Sequence, residues 1–336
     1  MGGPPPIFSA VSSSTRWPFQ ILRCISFASK VQVSIGRGGV TFTAEESRVM
    51  QGQAFLDRSL FTNYVFSPPP SAAEVEEEVE AEIPPFQISL SSLLETLQIL
   101  GIYDAKDRWA PKDPGYSGMN NTFGRDGSGA AFDTRLLGMR AVCRFSYAGV
   151  GEPLCIILEE AGVTTTCELT TYEPEDQAEI PLQKDAIAMK VIMGASWLYD
   201  AITELSSTSP TRLTVLASPH APFFALSAVG PLGSATVEFN NDPQLLEIFA
   251  AKSKTVNAYK FSLVKSASKA MALATKVSIR GDEQGVLSLQ FMVDDGEKGF
   301  IDFRFVPYVP EEGDEDELEE EDEEETPVET GTLVGP

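Results

Sequence analysis

The chain has 336 residues, 43% of them apolar, enough for a folded body of one large or two ordinary domains. Its formal charge is -24, but the blocks Glu74–Glu82 and Glu311–Glu325 carry about 19 acids between them. Like-charged blocks repel themselves and stay outside a core, so the remaining body is only mildly acidic and contact with a polyanion is not excluded.

The start, Met1-Gly-Gly-Pro-Pro-Pro, has neither a basic leader nor a long apolar stretch, and no apolar run reaches the roughly 20 residues of a membrane span, so no membrane partner is expected. Ser13-Ser14-Thr15 is a candidate helix cap, and Phe19, Leu22 and Ile25 behind it share one helical face; Pro18 is tolerable because the first turn has free N–H groups anyway. Val31, Val33 and Ile35 then alternate with polar residues as a half-buried strand, Gly36–Gly39 turns, and Val40-Thr-Phe-Thr43 returns. Residues 67–85, proline-rich and then acidic, have the composition of a loop insertion. Leu93, Leu94, Leu97 and Leu100 form a second helical stripe, and residues 103–139, rich in Gly, Asp and Asn, read as a second insertion.

Strands from Val142 to Tyr172 close this half, and residues 173–185 are a polar connector. Ala188–Met193 opens the next half as a strand, followed by a helical stripe at Trp197, Leu198, Ala201 and Leu205. A fourth stripe runs through Ala267, Ala270, Met271 and Ala274. Leu287, Leu289, Phe291 and Val293, then Ile301, Phe303 and Phe305, alternate as strands, and residues 310–336 form an acidic tail. The order repeats: strand, helix, set of strands, helix, closing strands. This predicts an α+β fold of two similar domains, 1–172 and 186–309, although identity between the halves is low.

Cys24, Cys143, Cys155 and Cys167 are scattered with no CxxC pair, so they read as reduced core residues of an intracellular protein, not a disulfide frame or a zinc site. The single histidine, His220, lies in a Ser-Pro-His-Ala-Pro turn. No nucleophile elbow, Walker A or dinucleotide glycine pattern accompanies it, and no cofactor or metal is implied.

Phe8-Ser-Ala-Val-Ser-Ser, Leu22-Arg-Cys-Ile and especially Glu45-Glu-Ser-Arg-Val-Met-Gln-Gly-Gln-Ala-Phe-Leu56 resemble the Rad-one subunit of the 9-1-1 checkpoint clamp. Thr255-Val-Asn-Ala-Tyr-Lys-Phe-Ser-Leu, Lys276-Val-Ser-Ile-Arg and Gly285-Val-Leu-Ser-Leu-Gln-Phe-Met carry the likeness through the second half. It covers roughly residues 7–66, 86–102 and 140–308; the two insertions depart from it. The resemblance implies a PCNA-like sliding-clamp fold, sheets outside and two helices per domain inside. It further implies a nuclear heterotrimer with two other clamp subunits, placed by a clamp loader around double-stranded DNA and recruiting checkpoint and repair proteins.

Hole-facing helices need cations that touch phosphates without reading sequence. Arg16, Arg23 and Lys30 are spaced by seven, and Lys265, Lys269 and Lys276 fall within about 40° on a helical wheel; an ordinary solvated face is the plainer alternative. Glu95, Asp200 and Glu204 on the other two helices predict an uneven lining. By resemblance, ring closure uses the edge strands of Thr164, Thr166 and Glu168 and of Ala235, Val237 and Phe239, and the connector at Ile180, Pro181 and Leu182 is where partner peptides dock. Two other functions compete. A metal-dependent 3'-5' exonuclease needs converging carboxylates, and Asp57, Asp282, Asp294 and Asp295 look like turn acids instead. An acidic chaperone-like protein explains the tail but not the repeated halves.

Overall fold

The computed structural model describes residues 5–13, 15–68, 83–101, 142–160, 163–175, 179–293 and 299–309. Both proposed insertions lie mostly outside these residues, as do the tail, Asp294 and Asp295.

The predicted element order is present in both halves. The first runs β1 (Phe8–Ser12), α1 (Arg16–Cys24), β2 (Lys30–Gly36), β3 (Gly39–Glu46), β4 (Met50–Asp57), β5 (Asn63–Phe66), β6 (Phe86–Ser89), α2 (Leu90–Gly101), β7 (Val142–Tyr147), β8 (Leu154–Glu160) and β9 (Val163–Leu169). The second runs β10 (Ile187–Gly194), α3 (Ala195–Leu205), β11 (Arg212–Ala217), β12 (Phe224–Gly230), β13 (Gly233–Phe239), β14 (Leu246–Ala251), β15 (Thr255–Lys260), α4 (Phe261–Ser266), α5 (Ser268–Leu273), β16 (Lys276–Asp282), β17 (Leu287–Met292) and β18 (Gly299–Phe305). The stripe read as one helix is thus two short ones that meet at Ala267, the residue after the first and before the second (φ -77°, ψ -1°).

All strand pairs are antiparallel, and the pairing repeats as well. Sheet β5-β1-β7-β8-β9 of the first half has its counterpart in β14-β10-β16-β17-β18, and β6-β2-β3-β4 in β15-β11-β12-β13. One bond between the halves breaks the symmetry: β18 pairs with β4, which fuses two of these sets into a nine-stranded sheet. Its seam sets Phe303 opposite Gly52 and Phe305 opposite Met50.

Period-2 alternation sends Met50, Ala54 and Leu56 of β4 and Ile301, Phe303 and Phe305 of β18 to the buried face. Against that face lies α1, which is next to both strands. Ile21, Leu22 and Ile25 are buried, and Phe19 is half-buried. Gly52 is needed here. A Cβ on it would come within 2.8 Å of the Phe27 ring and 3.1 Å of the Phe303 ring.

Two expectations about the helices fail. Thr15 is the residue before α1, but its hydroxyl makes no capping bond and is buried without a partner. Trp197, counted as core, is 52% exposed. It sits about 100° from Leu198 on the helix, and its ring folds back over Gly194 at the helix start.

Candidate nucleic-acid and subunit interfaces

The helices lie side by side. α1 neighbours α2 on one side and α5 on the other, and α5 neighbours α3. The row α2–α1–α5–α3 therefore crosses the seam. Each helix buries one face in the core and leaves the opposite face open.

On that open face charge is sorted by position. Arg16 and Arg23 of α1 and Lys265 and Lys269 of α4 and α5 are exposed in the middle of the row, while Glu95 of α2 and Asp200 and Glu204 of α3 are exposed at its ends. Lys269 Nζ donates to Ser26 Oγ at 2.8 Å, which ties α5 to the end of α1. Lys265 Nζ donates to Ser206 Oγ at 3.2 Å, beyond the end of α3. A band of four cations flanked by carboxylates is the kind of surface that phosphate contact uses.

Lys30 and Lys276 do not belong to that band, which corrects the helical-wheel placement. The chain leaves α1 at Cys24 and α5 at Leu273, so both lysines open strands, β2 and β16. Lys30 Nζ stands 5.4 Å from the ring centre of Tyr172 and 3.5 Å from a Glu175 oxygen. Lys276 Nζ is 2.8 Å from Glu247 Oε2. Composition gave no hint of the first arrangement, yet it is itself repeated. Arg212, which opens β11 as Lys30 opens β2, lies 4.0 Å from the ring centre of Tyr308 and donates to its hydroxyl. Tyr172 and Tyr308 follow β9 and β18, and each ties its backbone to the strand before a helix, at Gln87 and Ala258. The signal was present as a tyrosine closing each half.

β9 and β13 stand at the far edges of their sheets, with no strand on their outer side among the described residues. Thr164, Thr166 and Glu168 are exposed on β9. On β13, Ala235 and Val237 are half-buried and Phe239 is buried, with Glu238 pointing out. These strands lie at opposite ends of the helix row, since α2 packs on β9 and α3 on β13. Their partners can be inferred from the repeat. β9 occupies in its half the place of β18, and β13 the place of β4, and β18 pairs with β4. The internal seam thus shows how strands in these two places can pair with each other. Such a contact is head to tail and closes into a ring when its rotation allows.

The connector is less open than expected. Ile180 is 5% exposed, and its carbonyl accepts from Arg304 Nη1 at 2.7 Å. Arg304 also donates to Glu179 and Asp302. Gln183 N–H donates to Asp282. Pro181 is exposed and Leu182 half-buried, so those two of the three named residues are open to solvent.

Two of the acids considered for metal chemistry have backbone duties. Asp57 accepts from Ser59 N–H at 2.7 Å, and Asp282 takes the N–H groups of Gln183, Gln284 and Val286. Among the described residues no three His, Cys, Asp or Glu side chains gather as metal ligands. His220 lies in a turn, its N–H bonded to Ser218 Oγ. No helix among the described residues is long and apolar enough to cross a membrane.

Comparison with known proteins agrees with this geometry. The model of the family described as repair protein Rad1/Rec1/Rad17 matches residues 7–293. The DNA damage checkpoint control protein rad1 of Schizosaccharomyces pombe is 34% identical over 290 residues, covering 85% of this chain and 82% of the relative. The human cell cycle checkpoint protein RAD1 is 30% identical over 295 residues, 87% and 89% of the two chains. The DNA repair exonuclease REC1 of Mycosarcoma maydis shares 26% over 180 residues, 45% of this chain and 39% of that one. In structure the chain is similar to PCNA from Thermococcus kodakaraensis, with a TM-score of 0.61 at 18% identity, covering 90% of this chain and all of the other. The fold is that of a sliding clamp.

Proposed function

The chain belongs to the Rad1/Rec1/Rad17 family of repair proteins, and from that premise we propose that it is one subunit of the heterotrimeric 9-1-1 checkpoint clamp. It acts in the nucleus, encircles double-stranded DNA with two other clamp subunits after a loader places it there, and serves as a platform for checkpoint and repair proteins. The observation that carries this reading is the pairing of a cationic helix band with two open edge strands at its opposite ends. Affinity then comes from threading, so weak phosphate contacts suffice and sliding is preserved.

Co-expression with the two partner clamp subunits, followed by light scattering, tests the reading. A particle with one copy of each chain is expected. A monomer indifferent to both partners overturns it.

A nuclease is the second reading, because REC1 of Mycosarcoma maydis is named an exonuclease. We favour a scaffold without catalysis, since Asp57 and Asp282 are committed to turn amides. Metal-dependent degradation of DNA that survives stringent purification and disappears on Asp57→Ala or Asp282→Ala would establish the enzyme instead.

A further inference from the structure

The chain's own seam shows what a closed junction of this fold contains. Across β4 and β18, where Gly52 faces Phe303, lies Phe27 from the turn after α1. Its ring centre is 6.2 Å from that of Phe303, and it covers Gly52 so closely that a Cβ there would meet it at 2.8 Å. Ser26, beside it, accepts from Lys269 of α5. One aromatic plug thus fills the space between a helix, a bare glycine and a second aromatic.

Strand register transfers each of these positions to the open ends. Leu154 pairs with Leu169 as Leu287 pairs with Phe305, so Cys167 on β9 stands where Phe303 stands on β18. Gly230 and Ala228 pair with Gly233 and Ala235 as Glu46 and Ala44 pair with Met50 and Gly52, so Ala235 stands where Gly52 does. The turn after α3 that corresponds to Phe27 is Ser206-Ser-Thr-Ser209, with no large apolar side chain. Both ends therefore lack an aromatic that the closed seam has. At the β9 end the result is visible as an open groove of about 350 Å³ with mixed walls, polar at Ser89, Ser92, Glu95, Glu168 and Thr170 and apolar at Leu169 and Tyr172, with Cys167 between them. Thr96 Oγ1 and Cys167 Sγ, 3.2 Å apart, form part of its wall.

We propose that this groove between α2 and β9 is a socket for a large apolar side chain carried on the helix–strand turn of the neighbouring clamp subunit, and that the absence of such a side chain from the Ser206–Ser209 turn keeps the chain from joining to itself. The proposal rests on the clamp reading and adds to it the chemistry of the partner. A neighbour at the β9 edge must bring a Phe, Leu, Met or Trp at the plug position. A second copy of this chain brings only hydroxyls, and Ala235 puts a methyl where the seam needs none.

The test uses the full chain with each partner clamp subunit in turn. Cys167→Trp fills the socket from its floor, and Ser92→Phe fills it from α2. Each is expected to weaken binding of the β9-side partner at least about tenfold and to leave the β13-side partner unaffected, while Cys167→Ser binds as the parent does. Thermal melting of the isolated variants separates lost binding from lost folding, and two variants on different elements guard against either misfolding. If both assemble with the parent's affinity, the socket is unoccupied and the proposal fails. Self-association of the parent chain in light scattering overturns its second half. Failure of the parent to bind either partner is a different result, and it removes the clamp reading itself.

Discussion

The cationic band permits a quantitative prediction. Each phosphate that a protein neutralises on duplex DNA contributes about 0.9 to the slope of log affinity against log salt. If Arg16, Arg23, Lys265 and Lys269, all exposed in the middle of the helix row, each take one phosphate, this subunit contributes a slope of about 3.6. Raising salt from about 50 to about 200 mM then weakens binding about 150-fold on their account alone. Replacing Arg16 and Arg23 with Ala is expected to halve that contribution, to a slope of about 1.8 and a loss of about 12-fold over the same range. Anisotropy of the assembled clamp on a labelled duplex, titrated across KCl, reads the slope directly, with the other subunits as a constant background. Lys30→Ala and Lys276→Ala serve as the internal comparison, since one lysine lies over Tyr172 beside Glu175 and the other is paired with Glu247. They are expected to leave the slope unchanged. The reasoning is refuted if the Arg16/Arg23 variant keeps the parent slope, or if the strand lysines lower it as much.

Three further outcomes follow from packing and burial. Gly52→Val forces a side chain against Phe27 and Phe303 and is expected to lower stability by about 1–3 kcal/mol, seen as a reduced urea midpoint; an unchanged midpoint means the seam is looser than it looks. Arg304→Ala removes the donor to Glu179, the Ile180 carbonyl and the buried Asp302. Faster amide exchange at residues 179–183 and a loss of about 1–3 kcal/mol are expected, and unaltered exchange there argues that other contacts hold the connector. Burial pushes the Cys24 thiol up to about 12, only partly offset by Lys269 and Arg23, and burial likewise pushes Cys143 up to about 12. The folded state thus keeps protons that exposed thiols lose near pH 9, so this stability is intact below about pH 9 and declines as pH climbs toward 12. Urea unfolding across that range should show a decline that the Cys24→Ala/Cys143→Ala variant flattens; an equal decline in both rules the thiols out.

Much of this was legible in the sequence because alternation and helical spacing are properties of short windows. β2, β3, β17 and β18 could be read from strict period-2 patterns, and the repeat from the order of such windows. What failed depended on where an element stops. Lys276 looked helical because a seven-residue spacing says nothing about a helix that ends at Leu273, and Lys30 lies past the end of α1 at Cys24. Trp197 looked buried because it adjoins a true apolar face without lying on it. Ile180 looked open because the partner of its carbonyl, Arg304, is more than a hundred residues away in the chain. The Lys30–Tyr172 and Arg212–Tyr308 pairs needed the register of distant strands, which no local window holds.

The bond between β4 and β18 also bears on how a closed ring lets DNA in. Those two strands belong to one polypeptide, so if they part, the covalent tether holds them at an effective concentration of order millimolar and they re-form at once. In the ring proposed above, β9 and β13 would have no such tether to their neighbours, and a junction there would open and close at the partners' ordinary concentration. On that proposal the doorway for a duplex lies between chains, and the nine-stranded sheet is the jamb that stays closed.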